Sequence, residues 1–258
     1  QPPLNPADFS VFGEDQVVDL FLLIGQSNMK GRGEIDMKPV ENKRILFYHV
    51  KEQDWFVARD PLHATGTPDL IDGKDNAGTG PGLSFAKTLV TAEPTLGIGL
   101  VPAAVGGAPI SSYAKDGQLY ERSLSMLRQA EKKSPIRTRI GGLLWLQGES
   151  DATADKHGVY EERLLDMIDR YRKDLAQPKL PFVACTIGSF IKGHPRFTHS
   201  EEINEVLLRL PAKRKDAACV DARDITGRND RLHYDTASQL EIGKRFAKAY
   251  RGLVETRD

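Results

Sequence analysis

Short, nearly uninterrupted runs of apolar residues recur along the chain, and between them apolar positions return every three or four residues. Runs of the first kind are typical of parallel strands that are covered on both faces of a sheet. Segments of the second kind predict amphipathic helices that pack one face against that sheet. The predicted strands are 17–24, 97–104, 139–146, 181–188 and 217–221, and the predicted helices are 82–92, 118–133, 159–175, 200–210 and 236–251.

The alternation of strands and helices predicts an α/β fold. Right-handed crossovers between parallel strands place helices on both faces, which gives a three-layer α/β/α sandwich around a central, mostly parallel five-stranded sheet. Residues 32–80 interrupt the alternation and are rich in Gly, Asp, Lys and Pro, so we expect a long loop or a small hairpin insertion near one edge. Neither an internal repeat nor a low-complexity linker divides the 258 residues, which favours a single domain over 1–258.

Charge and apolar run length exclude several classes of function. The chain carries 36 Lys and Arg residues against 36 Asp and Glu residues, and the basic residues are scattered. We therefore expect no binding of nucleic acid and no binding to an anionic membrane surface. All apolar runs are shorter than the about 20 residues that a membrane span needs. The oligomeric state is left open by the sequence.

The two cysteines, Cys185 and Cys219, lie inside predicted strands. Free Cys is among the residue types most often buried, so two buried thiols are the simpler interpretation. A disulfide stays open if the compartment is oxidising. Neither a CxxC motif nor a Cys/His cluster predicts a metal site, and we expect no metal and no cofactor.

Polar or glycine-rich clusters follow the predicted strands at the end where open parallel sheets bind their ligands. Because the carboxyl ends of parallel strands meet at one edge, we expect these clusters to share a rim. Together they carry more weight than any one of them alone. The clusters are GQSN at 25–28, GG at 106–107, QGESD at 147–151 and, after a loop that follows the last strand, DRLH at 230–233.

Ser27 stands where the first strand ends, so it is either a helix N-cap or a nucleophile. A serine nucleophile needs a base, and the base needs an orienting carboxylate. Asp230 and His233 offer both, since in a tight turn the carboxylate reaches one imidazole nitrogen while the other faces the serine. The chain contains no G-x-S-x-G motif, which excludes the nucleophile elbow of α/β-hydrolases.

A second Asp-x-x-His lies in the irregular insertion, at Asp60 and His63. Pro61 stiffens this stretch without connecting it to a strand end, which favours a turn or a substrate-loop element over catalysis. Four histidines lack an acidic partner at that spacing, and surface or loop roles suit them. They are His49, His157, His194 and His199.

An acyl-transfer site also needs donors around the developing oxyanion. The candidates are the backbone N–H of Ser27, a backbone N–H of Gly106 or Gly107, and the side-chain amide of Gln147. The glycine pair is alternatively a plain turn, and Gln147 alternatively satisfies backbone groups of its loop.

Glu149 and Asp151 raise the alternative of paired carboxylates for glycoside hydrolysis. The rim offers no further acid as a partner. Hydrogen bonds that fix the loop geometry are therefore the favoured interpretation of both carboxylates.

Taken in chain order, these stretches resemble the SGNH hydrolases. The resemblance is to the branch that contains carbohydrate esterase family 6, with its acetylxylan esterases, and the sialate O-acetylesterases. It extends over most of the chain. The stretches that carry it are GQSNM at 25–29, GTGPGLSFA at 78–86, AVGGAPI at 104–110, WLQGESDA at 145–152 and DRLHYD at 230–235.

This resemblance implies a flavodoxin-like SGNH fold with Ser27 as nucleophile, His233 as base and Asp230 as its partner. It also implies that Gln147 stands where the wider superfamily has an asparagine in the oxyanion hole. In GGAPI, the residues at 108–109 are Ala-Pro where Thr-Ser is expected, so hydroxyl groups near the glycine pair are lost. The remaining candidates for supporting or substrate-binding residues are Gln26, Asn28, Glu149 and His63.

The function implied is that of a serine esterase that removes acetyl groups from O-acetylated carbohydrate, such as acetylated xylan or O-acetylated sialic acid. A short-chain lipid esterase or thioesterase of the same fold is one alternative, and a non-catalytic carbohydrate-binding protein is another. The sequence starts at Gln1 without a leader, and together with a carbohydrate substrate this favours a secreted or periplasmic protein. A cytoplasmic location stays open.

Overall fold

The computed structural model describes residues 3–63 and 76–255. Within these ranges the chain forms seven β-strands and six α-helices. None of the helices in these ranges has the length and apolar composition needed to cross a bilayer. The strands are β1 (Val18–Gly25), β2 (Ile45–His49), β3 (Asp54–Val57), β4 (Gly97–Pro102), β5 (Thr138–Leu146), β6 (Phe182–Cys185) and β7 (Ala217–Val220). The helices are α1 (Ser27–Lys30), α2 (Pro81–Ala92), α3 (Gln118–Lys133), α4 (Tyr160–Asp174), α5 (Ser200–Lys213) and α6 (Thr236–Glu255).

The strands form one sheet in the order β3-β2-β4-β1-β5-β6-β7, and β2 with β3 is its antiparallel pair. The central strand β1 is buried along its whole length and pairs in parallel with β4 and β5. Alternate residues of β1 enter two apolar clusters, one on each face. Helices α3, α4 and α5 cover one face, and α2 and α6 cover the other. The predicted three-layer α/β/α sandwich with a mostly parallel sheet is confirmed.

The predicted number of strands is wrong, because the sheet has seven strands instead of five. Both additional strands lie in the insertion 32–80, where β2 and β3 form a hairpin and β2 pairs in parallel with β4. The prediction of a hairpin near one edge is therefore confirmed. The run ILFYH of β2 was missed because it is five residues long and lies among turn-forming residues. Residues 64–75 of the insertion lie outside the described residues.

Cys185 and Cys219 are free cysteines on neighbouring strands. Cys185 pairs with Val220 and Cys219 with Ala184, so the two thiols are one residue out of register. Because successive side chains of a strand point to opposite faces, the sheet separates the thiols. Burial raises the pKa of both thiols, that of Cys219 to about 12. Both cysteines are free thiols as predicted, but only Cys185 is fully buried, whereas Cys219 is half-buried.

The exit of β1 from the sheet depends on Gly25. Its φ is 134°, a conformation that residues with a side chain rarely adopt. A Cβ atom at this position would lie 2.2 Å from the carbonyl oxygen of Leu146 on β5. The N–H of Gln26 donates to that same carbonyl at 3.1 Å. The close approach of the two backbones turns the chain out of the sheet, so that α1 begins at Ser27.

Three buried tyrosine hydroxyls satisfy peptide groups where strands end. Tyr113 donates to the Gly25 carbonyl at 2.7 Å and accepts from the Gly25 N–H at 3.2 Å. Peptide groups that leave a sheet lose their ladder partners, and a buried hydroxyl replaces one. The other two contacts run from Tyr160 to the Gln147 carbonyl (3.0 Å) and from Tyr234 to the Thr186 carbonyl (3.1 Å).

We expect Gly25→Ala to lower the free energy of unfolding by more than about 2 kcal/mol, since the new methyl group meets a backbone carbonyl and strains φ. Urea unfolding followed by circular dichroism measures the change. Gly158→Ala is the matched control, because a Cβ atom there meets nothing within 4 Å. Its effect should stay within about 0.5 kcal/mol. Equal stability of the two variants would contradict this account of the β1 exit.

Candidate active site

The structure brings Ser27, His233 and Asp230 together in that order. The Ser27 Oγ lies 3.0 Å from His233 Nε2, and His233 Nδ1 lies 2.8 Å from Asp230 Oδ2. Ser27 is the first residue of α1, and the position of N-cap belongs to Gln26. The hydroxyl of Ser27 therefore faces the imidazole instead of capping the helix that starts there.

A single carboxylate organises the turn that carries His233. Asp230 Oδ1 accepts the N–H of Leu232 at 3.0 Å and the N–H of His233 at 2.9 Å, while its Oδ2 faces the imidazole. Arg231 between them has a φ of 54°, in the left-handed region. Its guanidinium donates to the Lys192 carbonyl at 2.8 Å, which holds the turn against the neighbouring loop.

The surroundings set the protonation states of His233 and Asp230. Burial lowers the pKa of His233, against the opposing effect of the hydrogen bond and charge of Asp230. Burial acts to raise the pKa of Asp230, but its hydrogen bonds with the His233 side chain and with the N–H groups of His233 and Leu232 lower that pKa below its usual value. At neutral pH His233 is therefore neutral and Asp230 ionised, the states that a histidine base and its orienting acid need.

The glycine pair lies beside the turn that follows β5. Gly106 is buried, whereas Gly107 is exposed and has a φ of 71°. Three hydrogen bonds tie the two loops together, which fixes the backbone orientation around the glycines. They run from Ser150 Oγ to the Gly107 carbonyl (3.0 Å), from Gln147 Nε2 to the Ala108 carbonyl (3.1 Å) and from the Ile110 N–H to Asp151 Oδ2 (2.7 Å).

Gln147 is fully buried, and its amide is engaged with protein groups. Besides the Ala108 carbonyl, Nε2 donates to Asp151 Oδ2 at 2.5 Å. Both amide hydrogens are thus used, so as placed here the side chain offers no hydrogen to an oxyanion near Ser27. Asp151 lies four residues further along the same turn, and a buried amide donates preferentially to such a charged acceptor. These contacts match the alternative interpretation, in which Gln147 satisfies groups of its loop.

The candidate supporting residues contact protein groups. Gln26 Oε1 accepts the Ser150 N–H at 3.2 Å and so connects the β1 and β5 ends. Glu149 accepts from the amide of Asn28 at 2.5 Å. Burial raises the pKa of Glu149 to about 7. The carboxylates of 149 and 151 thus hold loops together, as the sequence favoured over a glycosidase pair.

His63 is buried between α1 and the end of β4. The Ala104 N–H donates to its Nε2 at 3.1 Å, and the ring also hydrogen-bonds to the backbone of Lys30. Burial holds the pKa of His63 well below its usual value, so the ring is neutral. Asp60 instead accepts a backbone hydrogen bond from Gly80, and burial raises its pKa to about 7. The second Asp-x-x-His is thus a structural element that joins α1 to the end of β4.

Sequence reasoning missed Tyr113, Tyr160 and Tyr234. Each looks like an ordinary core aromatic, and the available signal is that a buried tyrosine needs a partner for its hydroxyl. The histidines outside the site make contacts of their own, since His157 stacks on His199 at a ring distance of 4.0 Å. Among residues 3–63 and 76–255, no cluster of three or more His, Cys, Asp or Glu side chains is arranged to hold a metal ion.

Comparison with known proteins gives a family and a set of related structures. The family model for carbohydrate esterases of the sialic acid-specific acetylesterase type matches residues 17–252. A probable carbohydrate esterase of Arabidopsis thaliana is 32% identical over 252 residues, which cover 90% of this chain and 89% of that protein. The X-ray structure of the Arabidopsis protein superimposes with a TM-score of 0.79 at 30% identity, covering 92% of this chain and 99% of that chain.

Two more distant structures share the fold. The crystal structure of NanS has a TM-score of 0.74 at 18% identity and covers 95% of this chain and 100% of that chain. A carbohydrate acetylesterase from Xanthomonas citri has a TM-score of 0.67 at 21% identity, covering 92% of this chain and 56% of that chain. The resemblance read from the sequence motifs is confirmed. With the family model matched over 17–252 and a relative 32% identical over most of both chains, the protein belongs to the carbohydrate esterase family of sialic acid-specific acetylesterases and is a carboxylic ester hydrolase.

Proposed function

We propose that this protein is a serine esterase that removes acetyl groups from O-acetylated carbohydrate through an acetyl-enzyme intermediate. The observation that carries the proposal is the hydrogen-bonded series Ser27–His233–Asp230, with distances of 3.0 Å and 2.8 Å, at the carboxyl edge of the sheet. Open parallel sheets bind their ligands at that edge. The family to which the chain belongs supports the ester of a carbohydrate as the substrate class.

Acylation starts when Ser27 Oγ attacks the acetyl carbonyl carbon and His233 Nε2 takes the hydroxyl proton. Asp230 keeps the other imidazole proton on Nδ1 and stabilises the imidazolium that forms. The tetrahedral intermediate then expels the sugar oxygen, which receives the proton from His233 Nε2. The acetyl group is left on Ser27 as an ester.

Deacylation repeats the sequence with water. His233 Nε2 takes a proton from the water as its oxygen attacks the acetyl-Ser27 carbonyl. Collapse of the second intermediate breaks the bond to Oγ, which recovers the proton from His233. Acetate leaves, and the enzyme returns to its starting state.

The oxyanion of both intermediates is assigned to two backbone donors, the N–H of Ser27 and an N–H of the glycine pair 106–107. The first N–H groups of a helix lack partners within the helix, and Ser27 is the first residue of α1. Gln147 supports the hole indirectly, because its hydrogen bond to the Ala108 carbonyl fixes the glycine loop. A single donor of this kind contributes about 3 kcal/mol to transition-state stabilisation.

Ser27→Ala should abolish hydrolysis of p-nitrophenyl acetate, with a loss of about 10⁴-fold or more, because the nucleophile is gone. His233→Ala should lose activity to the same extent, whereas His63→Ala should lose far less per folded molecule. Initial rates, normalised to the folded fraction from circular dichroism, measure all three. Undiminished turnover in Ser27→Ala would refute the mechanism, and equal losses in the two folded histidine variants would refute the assignment of the base.

The pH dependence of kcat/KM should follow His233. The base acts in its neutral form, and burial lowers the pKa below the ordinary 6.5, so activity should persist below that pH and disappear as the pH falls through the lowered pKa. Asp230→Asn removes the group that opposes burial. Its acid limb should therefore move to still lower pH, with kcat reduced by about 10⁴-fold. An acid limb above the ordinary histidine value would contradict this electrostatic account.

Acetate release from a panel of esters tests the substrate class. We expect turnover of acetylated xylan, O-acetylated sialic acid or simple sugar acetates, with acetyl esters preferred over longer acyl chains. Preference for long acyl chains or for acetyl thioesters would indicate a lipid esterase or a thioesterase. Binding of the deacetylated sugars without acetate release, and without a burst of p-nitrophenol, would indicate a non-catalytic carbohydrate-binding protein.

A further inference from the structure

We propose that Asn28 is a positioning residue that sets His233 against Ser27, and that the buried carboxyl group of Glu149 orients the Asn28 amide for this task. The inference rests on the proposed function, because it assigns residues to the same esterase step. It concerns Asn28, the residue that directly follows the proposed nucleophile Ser27 in sequence.

The side chain of Asn28 grips the backbone on both sides of His233. Its Nδ2 donates to the carbonyl of Leu232 at 3.2 Å, and its Oδ1 accepts the N–H of Tyr234 at 3.1 Å. Asn28 itself is fixed by its place after Ser27 at the start of α1 and by Gln239 of α6, whose amide donates to the Asn28 carbonyl at 3.1 Å. One residue therefore connects the nucleophile segment with the segment that carries the base.

The hydrogen bonds to the Leu232 carbonyl and the Tyr234 N–H can both form in only one orientation of the Asn28 amide. A reversed amide would place its NH₂ group against the Tyr234 N–H and its oxygen against the Leu232 carbonyl. Glu149 favours the same orientation as these two backbone groups, because its Oε1 accepts from Nδ2 at 2.5 Å and a carboxyl oxygen without a proton can only accept. Both hydrogens of the Asn28 amide are thereby used, and its oxygen is occupied as well.

Glu149 is almost fully buried, with 1% of its surface exposed, and a carboxyl group buried this deeply lowers the stability of the fold. Its Oε2 is buried without a hydrogen-bond partner in the described part of the chain. Burying a carboxyl group costs free energy unless its hydrogen bonds compensate, and an apolar side chain of similar size would fill the space at lower cost. The carboxyl group also accepts backbone hydrogen bonds from Gly148 and Glu149, and the side chain that it contacts is that of Asn28.

These contacts give Asn28 a role through His233 and not on the substrate. The side chain is 1% exposed, and all of its polar atoms contact protein groups. We therefore expect Asn28→Ala to lower kcat by about 10²-fold, the cost of displacing a catalytic group by about 1 Å. KM should change less than about threefold. Burial is the largest cause of the lowered pKa of His233, and the charges of Arg32 and Arg228 lower it further. A loosened and better hydrated imidazole should therefore also move the acid limb of kcat/KM upward.

Isosteric variants test the orientation argument. Asn28→Asp keeps the acceptor for Tyr234 but replaces the donor with an oxygen that faces Leu232 and Glu149, so it should be as slow as Asn28→Ala. Glu149→Gln keeps an acceptor for the amide and should retain kcat within about threefold, whereas Glu149→Met should not. In the double variant Asn28→Asp with Glu149→Gln, the Gln amide can donate to the new carboxylate. Its kcat should therefore exceed that of Asn28→Asp alone.

Asn204→Ala is the matched control. Asn204 is also buried, and its amide bonds both the N–H and the carbonyl of Ile187, at 2.8 Å and 2.9 Å. Its loss should lower stability while leaving kcat and the acid limb unchanged. Equal effects in Asn28→Ala and Asn204→Ala would overturn the proposal, as would a kcat and an acid limb in Asn28→Ala that match the wild type. If Asn28→Ala does not fold, kcat is compared between Glu149→Met and Glu149→Gln instead. Equal kcat values in these two variants would overturn the proposal.

A titration of the His233 imidazole by NMR separates this inference from the proposed function. It needs no turnover, and we expect a higher His233 pKa in Asn28→Ala than in the wild type and in Asn204→Ala. An unchanged titration with an active wild type would refute the role of Asn28. An inactive wild type with the expected shift would instead refute the esterase function and leave Asn28 as the group that positions His233.

Discussion

The close approach of two backbones, at Gly25 of β1 and Leu146 of β5, fixes where the central strand leaves the sheet. The 2.2 Å that separates a hypothetical Cβ atom of Gly25 from the Leu146 carbonyl leaves no room for any other residue. Ser27 is presented two residues beyond this point, and the turn 147–151 begins one residue beyond Leu146. The segment that carries Ser27 and the turn that supports the glycine loop are thus positioned by one contact. Because both strands are central and buried, neither can shift to accommodate a change.

The end of a parallel sheet leaves peptide groups without ladder partners, and the molecule uses this edge for buried polar side chains. Tyrosine hydroxyls satisfy the ends of three strands, and amides and carboxyls tie the loops to one another. Such contacts add little net stability, but leaving one group unpaired costs about 1–3 kcal/mol. These contacts therefore raise the free energy of alternative loop positions more than they lower the free energy of the native position. That asymmetry is suited to a site in which a hydroxyl, an imidazole and a carboxylate must align.

Much of this architecture could be predicted from the sequence, because apolar runs that alternate with amphipathic helices permit few topologies. The position of the candidate site could be predicted by the same argument, since the carboxyl ends of parallel strands meet at one edge of the sheet. Prediction failed where a neighbour decides the outcome. The strand β2 depends on its pairing with β4, and the direction of the Gln147 amide depends on Asp151. His63 looked like a loop residue, yet it is buried between Lys30 and Ala104, a contact that no spacing along the chain indicates.

The turn 147–151 shows how much hydrogen bonding is given up to hold the loops of the candidate site in place. Three of its buried oxygen atoms, Gln147 Oε1, Glu149 Oε2 and Asp151 Oδ1, have no hydrogen-bond partner among the described residues. Such atoms also occur singly elsewhere in the described part of the chain, but three within five residues beside the candidate site indicate that stability is given up for geometry there. In each of these side chains the second polar atom holds a neighbouring group: Ala108, Asn28 or Ile110. The unsatisfied oxygen is then the unavoidable other half of a side chain that is needed for its partner. Replacing any of these three side chains with an apolar one would remove the unsatisfied oxygen, but it would also remove the hydrogen bond that holds the neighbouring group.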